Sequence, residues 1–352
     1  MTTDEKYMAR CIELAHLGAG SVSPNPMVGC VIVHKGKIIG EGYHEKYGEA
    51  HAEVNAIRAV KDPELLKKST LYVSLEPCAH QGKTPPCSDL IVKKKLARVV
   101  IGTMDPYAEV AGKGIEKLIR HSIDVKLGVL ENECLELNRR FFTFHNKKRP
   151  YIILKWAQSA DGFIDIERAA TNYGEPTWIT GEDARVRVHE MRAIEDAIVV
   201  GTRTAEKDNP SLTTRLVKGK NPLRLVLDRK LKLAKTLKLF DNSTPTLVLN
   251  SIKNEKVGNT EYNKIDYSRS VPEQILELLH EKEKLSLIVE GGKQLLQTFI
   301  DSQLWDEAQV YSGDIFFEKG VPAPIIKGRA ERNEIIGKDF LQVYRNPVRD
   351  HK

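Results

Sequence analysis

HAEVNAIRAV at residues 51–60 and TLYVSLEPCAHQGKTPPCSDLIVKKKL at residues 70–96 decide the fold of the first half of this chain. The first stretch is typical of a helix, and the second is typical of a strand, a loop and another helix. A histidine and a glutamate stand at the start of the first helix, and a cysteine stands at either end of the loop. Polar residues of these types at the ends of neighbouring elements indicate a metal site.

His51, Cys78 and Cys87 are the candidate metal ligands. Catalytic zinc takes three protein ligands and leaves a fourth position for water, and one imidazole with two thiolates meets that requirement. Glu53 cannot easily reach the same metal, but it can reach the water, so we interpret it as the proton shuttle. A lone histidine, cysteine or H-x-E triplet is usually structural, and only the conjunction is specific. It predicts a zinc-dependent hydrolytic deaminase.

The loop between the two cysteines holds eight residues, where the generic deaminase pattern has two. It carries His80 and Lys83, which we expect beside the metal. A cation there favours an anionic group on the substrate, such as a phosphate, although a solvated loop lysine explains Lys83 equally well. Cys11, Cys30 and Cys134 occupy positions of apolar periodicity and are expected in the core.

Helical and strand patterns alternate in both halves of the 352 residues, which predicts two α/β domains with helices around parallel or mixed sheets. HNKKRP at 145–150 is a polar break, so we place the domains at 1–146 and 150–352. One continuous helix is predicted over 132–144. In the second half the pattern predicts strands over 151–159, 196–201, 222–228, 244–250 and 285–291, and helices over 181–192 and 292–301.

Composition excludes several classes of protein. The net charge of +6 suits a solvated lysine-rich surface as well as an anionic substrate or nucleic acid, and decides nothing alone. The N-terminus lacks a basic segment followed by an apolar core, and no apolar stretch approaches the length of a membrane span. Five widely spaced cysteines do not suggest a disulfide framework. We therefore expect a cytoplasmic protein without a membrane segment.

Seven motifs resemble the bifunctional riboflavin-biosynthesis deaminase/reductase family. They are PNPMVGCVIV (24–33), GYHEKYGEAHAEVNAI (42–57), SLEPCAHQGKTPPC (74–87), LKWAQSADGFI (154–164), WITGEDAR (178–185), GTRTAEKDNPSLTTR (201–215) and VEGGKQLLQTFI (289–300). The resemblance implies a cytidine-deaminase-like three-layer α/β/α domain followed by a dihydrofolate-reductase-like α/β domain. It implies zinc-dependent deamination of 2,5-diamino-6-ribosylamino-4(3H)-pyrimidinone 5′-phosphate, then NADPH-dependent reduction of the ribosyl group to ribityl.

The resemblance also assigns site residues. Deaminase substrate contacts would be Asn25, His44, His80 and Lys83, and reductase substrate contacts would be Arg192, Asn209, Leu212, Arg215 and Glu290. Cofactor contacts would be Ala157, Trp178, Thr204, Asp208 and the run Gly292, Lys293, Gln294, Leu295, Leu296, Gln297 and Thr298. Either Lys155 or Asp208 would move the proton that accompanies hydride transfer. The implied partners are a small phosphorylated pyrimidine and further copies of the chain, without nucleic acid or membrane.

Simpler interpretations stand beside these assignments. The glycine pair before 293–301 suits an anionic phosphate at a helix N-terminus, but it is also an ordinary strand-to-helix connection. Arg192 and Arg215 could clamp a sugar phosphate, whereas Trp178 alone would be expected as a packing aromatic. The segment at 167–176 is longer than the resemblance leads one to expect. A nucleoside or tRNA adenosine deaminase with an inactive reductase-like domain is the alternative enzyme, and a zinc-stabilised binding protein is the non-enzymatic alternative.

Overall fold

A computed structural model describes residues 1–81, 85–106, 111–174 and 176–347 of the chain. The chain divides into two compact units, the first ending at Lys148 and the second beginning at Arg149. Within the described residues, no helix combines the length and the apolar character that crossing a membrane requires.

The first unit contains one mixed sheet with helices on both faces. Its strands are β1 (Gly29–His34), β2 (Lys37–Tyr43), β3 (Thr70–Leu75), β4 (Arg98–Thr103) and β5 (Asp124–Leu127). Its helices are α1 (Thr3–His16), α2 (Ala52–Ala59), α3 (Cys87–Lys94), α4 (Lys113–Arg120), α5 (Glu131–Leu137) and α6 (Arg139–Lys147), with a 3-10 helix at Pro63–Lys68. The strand order is β2-β1-β3-β4-β5, and β1 pairs antiparallel with both neighbours while β3, β4 and β5 run parallel.

Alternation along the central strands builds the three layers. Cys30 and Ile32 of β1 face a core that α2, α3 and α4 cover, whereas Val31 and Val33 face a second core beneath α1 and α5. Successive side chains of a strand point to opposite faces, so an almost wholly apolar strand such as β1 must be covered on both. Cys11, Cys30 and Cys134 are buried in these cores, as expected.

The helix predicted over 132–144 is interrupted at Asn138. The buried amide of Asn138 donates to the carbonyl of Met27 and accepts from the Met27 N–H, both at 2.8 Å. This side chain serves a distant segment, and its backbone (φ −107, ψ 23) leaves the helical region between α5 and α6. The polar segment after 144 is not wholly a break either, because α6 continues to Lys147.

The second unit contains a ten-stranded sheet, a two-stranded sheet and four α-helices among its described residues. Its strands are β6 (Tyr151–Gln158), β7 (Phe163–Asp165), β8 (Ala197–Val200), β9 (Leu223–Leu227), β10 (Thr246–Asn250), β11 (Glu255–Val257), β12 (Thr260–Lys264), β13 (Ser286–Val289), β14 (Glu307–Ser312), β15 (Val321–Pro322), β16 (Arg332–Ile336) and β17 (Asp339–Arg345). Its helices are α7 (Glu182–Ile194), α8 (Thr202–Asp208), α9 (Val271–Glu281) and α10 (Lys293–Asp301), with 3-10 helices at Ala170–Asn172 and Lys238–Phe240.

The large sheet has the order β11-β12-β10-β9-β8-β13-β6-β14-β17-β16. Its seven strands from β12 to β14 run parallel, and antiparallel strands complete both edges. Helices α9 and α10 cover one face and α7 and α8 cover the other. The mixed α/β architecture predicted for both halves is confirmed. Because parallel strands place their carboxyl ends at one edge, the segments after β6, β13, β8 and β9 meet there.

Candidate active sites

Three metal-binding side chains of the first unit converge. The Nδ1 atom of His51 lies 3.6 Å from Sγ of Cys78 and 3.4 Å from Sγ of Cys87, and all three atoms lie within 4.8 Å of one another. Two ligands on a tetrahedral zinc ion, with bonds of about 2.05 Å to nitrogen and about 2.3 Å to sulfur, are about 3.6 Å apart. The three donor atoms therefore fit one zinc ion without rearrangement.

Element ends hold these ligands in place. His51 is the N-cap residue of α2 and Cys87 is the first residue of α3. The backbone N–H of Cys87 donates to Sγ of Cys78 at 3.3 Å, and the N–H and hydroxyl of Ser88 both donate to the Cys78 carbonyl. Hydrogen bonding from Cys87 lowers the pKa of the Cys78 thiol, against the opposing effect of burial. The start of α3 thus favours a thiolate at Cys78.

Glu53 lies in the first turn of α2 with only 3% of its surface exposed. Burial, with the nearby Cys78 sulfur, raises the pKa of its carboxyl group to about 7, although the charge of His51 opposes this. A carboxyl group with a pKa near neutrality can both accept and release a proton under physiological conditions. Its place two residues after a ligand suits a group that acts on water or substrate.

His44 and Asn25 form the wall next to this cluster. Nδ1 of His44 lies 3.1 Å from the Ala50 carbonyl, which can only accept, so we assign the ring proton to Nδ1. Nε2 then accepts from the amide nitrogen of Asn25 at 3.1 Å, and burial lowers the pKa of the ring. The rings of His44 and His51 meet edge to face, with centroids 5.3 Å apart. His80 is half-buried two residues after Cys78, and Lys83 lies outside the described residues.

Glu76 supports the cluster, although it was not among the residues predicted from the sequence. Its buried carboxylate accepts from four backbone N–H groups, those of Asp105, Gly112, Gly114 and Ile115, at 2.9–3.3 Å. Three of these donors belong to the start of α4, and Glu76 is two residues before Cys78. The available signal was an acidic residue directly before Pro-Cys in a strand that is otherwise uncharged.

The second unit contains a cavity of about 1290 Å³, larger than the usual range for drug-sized ligands. It lies where β6, β8, β9 and β13 end, and the first turns of α8 and α10 line it. The predicted residues among its lining are Lys155, Ala157, Thr204, Asp208, Glu290 and the run from Gly292 to Thr298. This edge of a parallel sheet is where α/β proteins commonly bind nucleotides.

The glycine pair forms a close contact between two strand ends. The Gly201 N–H, after β8, donates to the Gly291 carbonyl, after β13, at 2.8 Å. Gly291 has a φ of +111°, which favours glycine, and Gly292 is the N-cap residue of α10. A side chain on Gly292 would meet the Thr204 hydroxyl at 3.2 Å. Small residues therefore keep the N-terminus of α10 open to the cavity.

A buried cluster of charged side chains lies near the ends of strands β6 and β13. Arg192 donates through Nη2 and Nε to the two carboxylate oxygens of Glu290, at 2.7 and 3.4 Å. Burial raises the pKa of Glu290, but Arg192 and Lys155 outweigh it and the net shift is downward. Burial lowers the pKa of Lys155 despite the attraction of Glu290. Burial and the two arginines Arg192 and Arg215 lower the pKa of His189 to about 4, so this ring is neutral at pH 7.

The other assigned residues lie outside the lining of the cavity. The side chain of Leu212 is 1% exposed and belongs to the hydrophobic core, so only its backbone could meet a substrate. Asn209 accepts from the Lys238 N–H, and the backbone N–H of Arg215 donates to Nδ1 of His189. Trp178 is 60% exposed with the Arg185 guanidinium 4.8 Å from its ring centre. Trp178 is therefore not buried in a core, although its ring packs against Arg185.

Asp208 is ion-paired rather than free. The guanidinium of Arg168 contacts its carboxylate and also that of Asp165. Burial raises the pKa of Asp208, while the hydrogen bond and charge of Arg168 oppose that shift. No sequence pattern pointed to Arg168, because it lies 40 residues before Asp208.

Known proteins match both halves of the chain. Residues 1–103 match the cytidine and deoxycytidylate deaminase zinc-binding region, and residues 150–328 match the RibD C-terminal domain. The riboflavin biosynthesis protein RibD of Aquifex aeolicus is 38% identical, over 96% of this chain and 97% of that protein. RibD of Escherichia coli is 36% identical, over 88% and 87% of the two chains.

Solved structures agree with these matches. One is the diaminohydroxyphosphoribosylaminopyrimidine deaminase/5-amino-6-(5-phosphoribosylamino)uracil reductase of Thermotoga maritima. It superposes with a TM-score of 0.88 at 39% identity, covering 98% of this chain and 99% of that one. RibD of Acinetobacter baumannii gives a TM-score of 0.85 at 31% identity over 97% and 98% of the two chains.

Proposed function

The chain belongs to the RibD family of bifunctional riboflavin-biosynthesis enzymes, with a deaminase and a reductase domain, and we propose which substrate and cofactor it uses and which residues act. The substrate of the first step is a diaminopyrimidinone that carries a ribosyl 5′-phosphate. The deaminase domain, at 1–146, removes its 2-amino group as ammonia, and the reductase domain, at 150–352, reduces the ribosyl group of the product. The similarity along the whole chain to the named deaminase/reductase of Thermotoga maritima carries this proposal.

His51, Cys78 and Cys87 are the residues that would hold zinc, as their donor spacing supports. Zinc bound there would act as a Lewis acid that makes water nucleophilic near neutral pH. Glu53 takes a proton from the attacking water and delivers it to the ring nitrogen, and it then moves the hydroxyl proton of the adduct to the departing amine. His44, with its Nδ1 proton held by the Ala50 carbonyl, and Asn25 orient the pyrimidine together with His80 and Lys83.

A nicotinamide cofactor bound in the reductase domain would supply a hydride for C1 of the opened ribose. Glu290 and Arg192 form a bidentate ion pair on the substrate side of the site. The other residues on this side are Asn209, Arg215 and, through its backbone, Leu212. Lys155 delivers the accompanying proton to the ribose oxygen. Asp208 suits that role less well, because the Arg168 guanidinium already occupies its carboxylate. Ala157, Trp178, Thr204, Asp208 and the Gly292–Thr298 run contact the cofactor.

The cofactor is NADPH, and three arginines support this choice over NADH. Arg203, Arg229 and Arg269 line the cavity, and Arg229 lies 5.2 Å above the Tyr267 ring. Arg229 follows β9, whereas Lys155, the proposed proton donor, lies on β6. Three strand spacings, about 14 Å, separate these two strands, so Arg229 lies away from the proposed site of hydride transfer. Arginine recognises phosphate groups by paired hydrogen bonds and commonly accommodates the 2′-phosphate of NADP.

The test is to incubate the chain with the diaminopyrimidinone substrate, zinc and NADPH, and to follow ammonia and NADPH oxidation separately. Ammonia should appear first, and oxidation of NADPH should follow and should greatly exceed that of NADH. Ammonia without NADPH oxidation, even with the deaminated compound supplied, would favour an inactive reductase-like domain. Release of ammonia from tRNA but not from the pyrimidine would favour an adenosine deaminase.

The oligomeric state and the cellular compartment of the protein complete the proposal. We propose that the chain forms a homo-oligomer and acts in the cytoplasm. None of its five cysteines forms a disulfide, which suits a reducing compartment. Light scattering after size-exclusion chromatography tests the first part, because a monomeric mass at micromolar concentration would contradict it.

A further inference from the structure

Arg168 joins two parts of the reductase domain that are distant in sequence. Its Nη2 and Nε donate to one oxygen of Asp165 at 2.9 and 3.3 Å, and Nη2 also donates to Asp208. Its Nη1 lies 3.4 Å from the Lys207 carbonyl, which also accepts from the Gly174 N–H at 2.8 Å. The side chain of Arg168 is only 6% exposed.

The charges of Arg168 and its two partner carboxylates suggest a role beyond holding the loop in place. Arg168, Asp165 and Asp208 all line the cavity, and the two carboxylates share one guanidinium. Lys207 approaches Asp165 at 3.7 Å but makes no ion pair with Asp208 among the described contacts. Without the guanidinium, two carboxylates would face a cavity that must accept a cofactor with several phosphates. Like charges brought together in a partly desolvated site oppose binding strongly.

We propose that Arg168 is a positioning residue of the reductase that neutralises Asp165 and Asp208 and thereby allows the anionic cofactor to bind. This inference rests on the proposed NADPH-dependent reduction. Arg168 itself need not touch the cofactor or the substrate. It acts through Asp208, which ends α8, the helix whose first turn supplies Thr204 to the cavity.

A purely structural role makes a different prediction. If Arg168 served only to hold the 166–174 segment against α8, removing Asp165, a second partner in this contact, would weaken NADPH binding further. If its charge matters, removing one of the two carboxylates that Arg168 bridges should reverse part of the loss. Asp165→Asn is the suitable second change, because Asp165 is assigned neither to the cofactor nor to the substrate. The Thr177 hydroxyl that donates to Asp165 can also donate to the asparagine oxygen.

The experiment measures NADPH affinity by calorimetry on the zinc-loaded full chain. The variants are Arg168→Ala, Arg168→Lys, Arg168→Ala with Asp165→Asn, and Arg187→Ala as control, an exposed arginine that pairs with Glu190 outside the cavity. Arg168→Ala should weaken binding by about tenfold or more. Lysine, which keeps the charge but cannot bridge two carboxylates, should give an intermediate loss. The double variant should recover most of the affinity, and Arg187→Ala should bind like the wild type.

Circular dichroism and thermal unfolding, compared with the wild type, show whether the reductase unit of each variant is folded, because ammonia release reports only on the other unit. Steady-state reduction should show the KM for NADPH rising while kcat at saturating NADPH changes by less than about threefold. Wild-type affinity in Arg168→Ala, or a double variant that binds no better than the single one, would overturn the inference. Wild-type protein that neither binds nor oxidises NADPH would overturn the proposed function as well.

Discussion

Among single residues, Glu53 combines burial with a position two residues after His51. Replacing it by glutamine keeps the size of the side chain but removes its ability to take up and return a proton. We expect Glu53→Gln to retain zinc and to lose ammonia release by a factor of about 100 or more. The measurement is ammonia production at equal zinc content, with the metal quantified in each preparation.

The reductase activity of the same variant is the control for Glu53→Gln. NADPH oxidation with the deaminated pyrimidine should be unchanged, because Glu53 belongs to the first unit. Near-normal ammonia release from a zinc-loaded Glu53→Gln protein would remove Glu53 from the mechanism.

Lys155 leads to a prediction about pH. A proton donor must be protonated to act, so the reduction rate falls as the pH rises through its pKa. Burial lowers the pKa of Lys155, and this alkaline fall should therefore begin below the usual lysine range. Lys155→Ala should reduce kcat by about 100-fold and abolish the alkaline limb, whereas Asp208→Asn should mainly raise the KM for NADPH. If the alkaline fall persists in Lys155→Ala, or if kcat falls only in Asp208→Asn, then Asp208 and not Lys155 is the proton donor.

At the scale of elements, apolar pattern determined which segments could be predicted. The strand predicted over 70–76 is Thr70–Leu75, and those predicted around 151–159 and 285–291 are Tyr151–Gln158 and Ser286–Val289. Their apolar runs can be buried only inside a sheet. Helices α8 and α9 and strands β7, β11, β12, β14, β15, β16 and β17 were not predicted. α8 is short and mostly polar, and β16 has mostly exposed residues, so neither shows clear periodicity.

The break at Asn138 could not be predicted for another reason. Its cause is a pair of hydrogen bonds to Met27, 111 residues away, and no local pattern records them. The same holds for the reductase residues. Arg168 and Asp208, or Arg192 and Glu290, are brought together only by the tertiary fold. The deaminase cluster could be predicted from the sequence because its residues stand at the ends of consecutive elements.

Glu76 gives a prediction about how α4 supports the metal site. Glutamine keeps the shape but replaces one acceptor oxygen by an NH₂ group, which leaves at least one of the four N–H donors unsatisfied. Glu76→Gln should destabilise the first unit by about 1–3 kcal/mol and reduce the zinc retained after dialysis. Zinc content and thermal unfolding with and without added zinc are the measurements. The matched control is Glu116→Gln on α4, which is exposed and pairs only with Arg120 among the described contacts.

For Glu76→Gln, a loss of zinc retention that exceeds the loss in Glu116→Gln would establish the supporting role. Equal zinc content in both variants, with lower stability only in Glu76→Gln, would reduce Glu76 to a helix-capping residue.

At the scale of the whole molecule, the two chemistries use separate residues. All three proposed zinc ligands and Glu53 belong to the unit that ends at Lys148, and the lining of the cavity belongs entirely to the unit that begins at Arg149. Each unit has its own hydrophobic cores, built on its own sheet. A change confined to the metal site should therefore leave the reductase chemistry intact.

Removal of zinc by a chelator tests this separation directly. Ammonia release should fall to background, because three converging donor groups without a metal cannot activate water. NADPH oxidation with the deaminated pyrimidine supplied should remain within about twofold of the untreated enzyme, and added zinc should restore ammonia release. If chelation abolished both activities, the metal would support the fold of the entire chain, as in domains that unfold without their zinc. If it abolished neither, His51, Cys78 and Cys87 would not form a catalytic metal site, and the deaminase mechanism would have to be rebuilt around Glu53 alone.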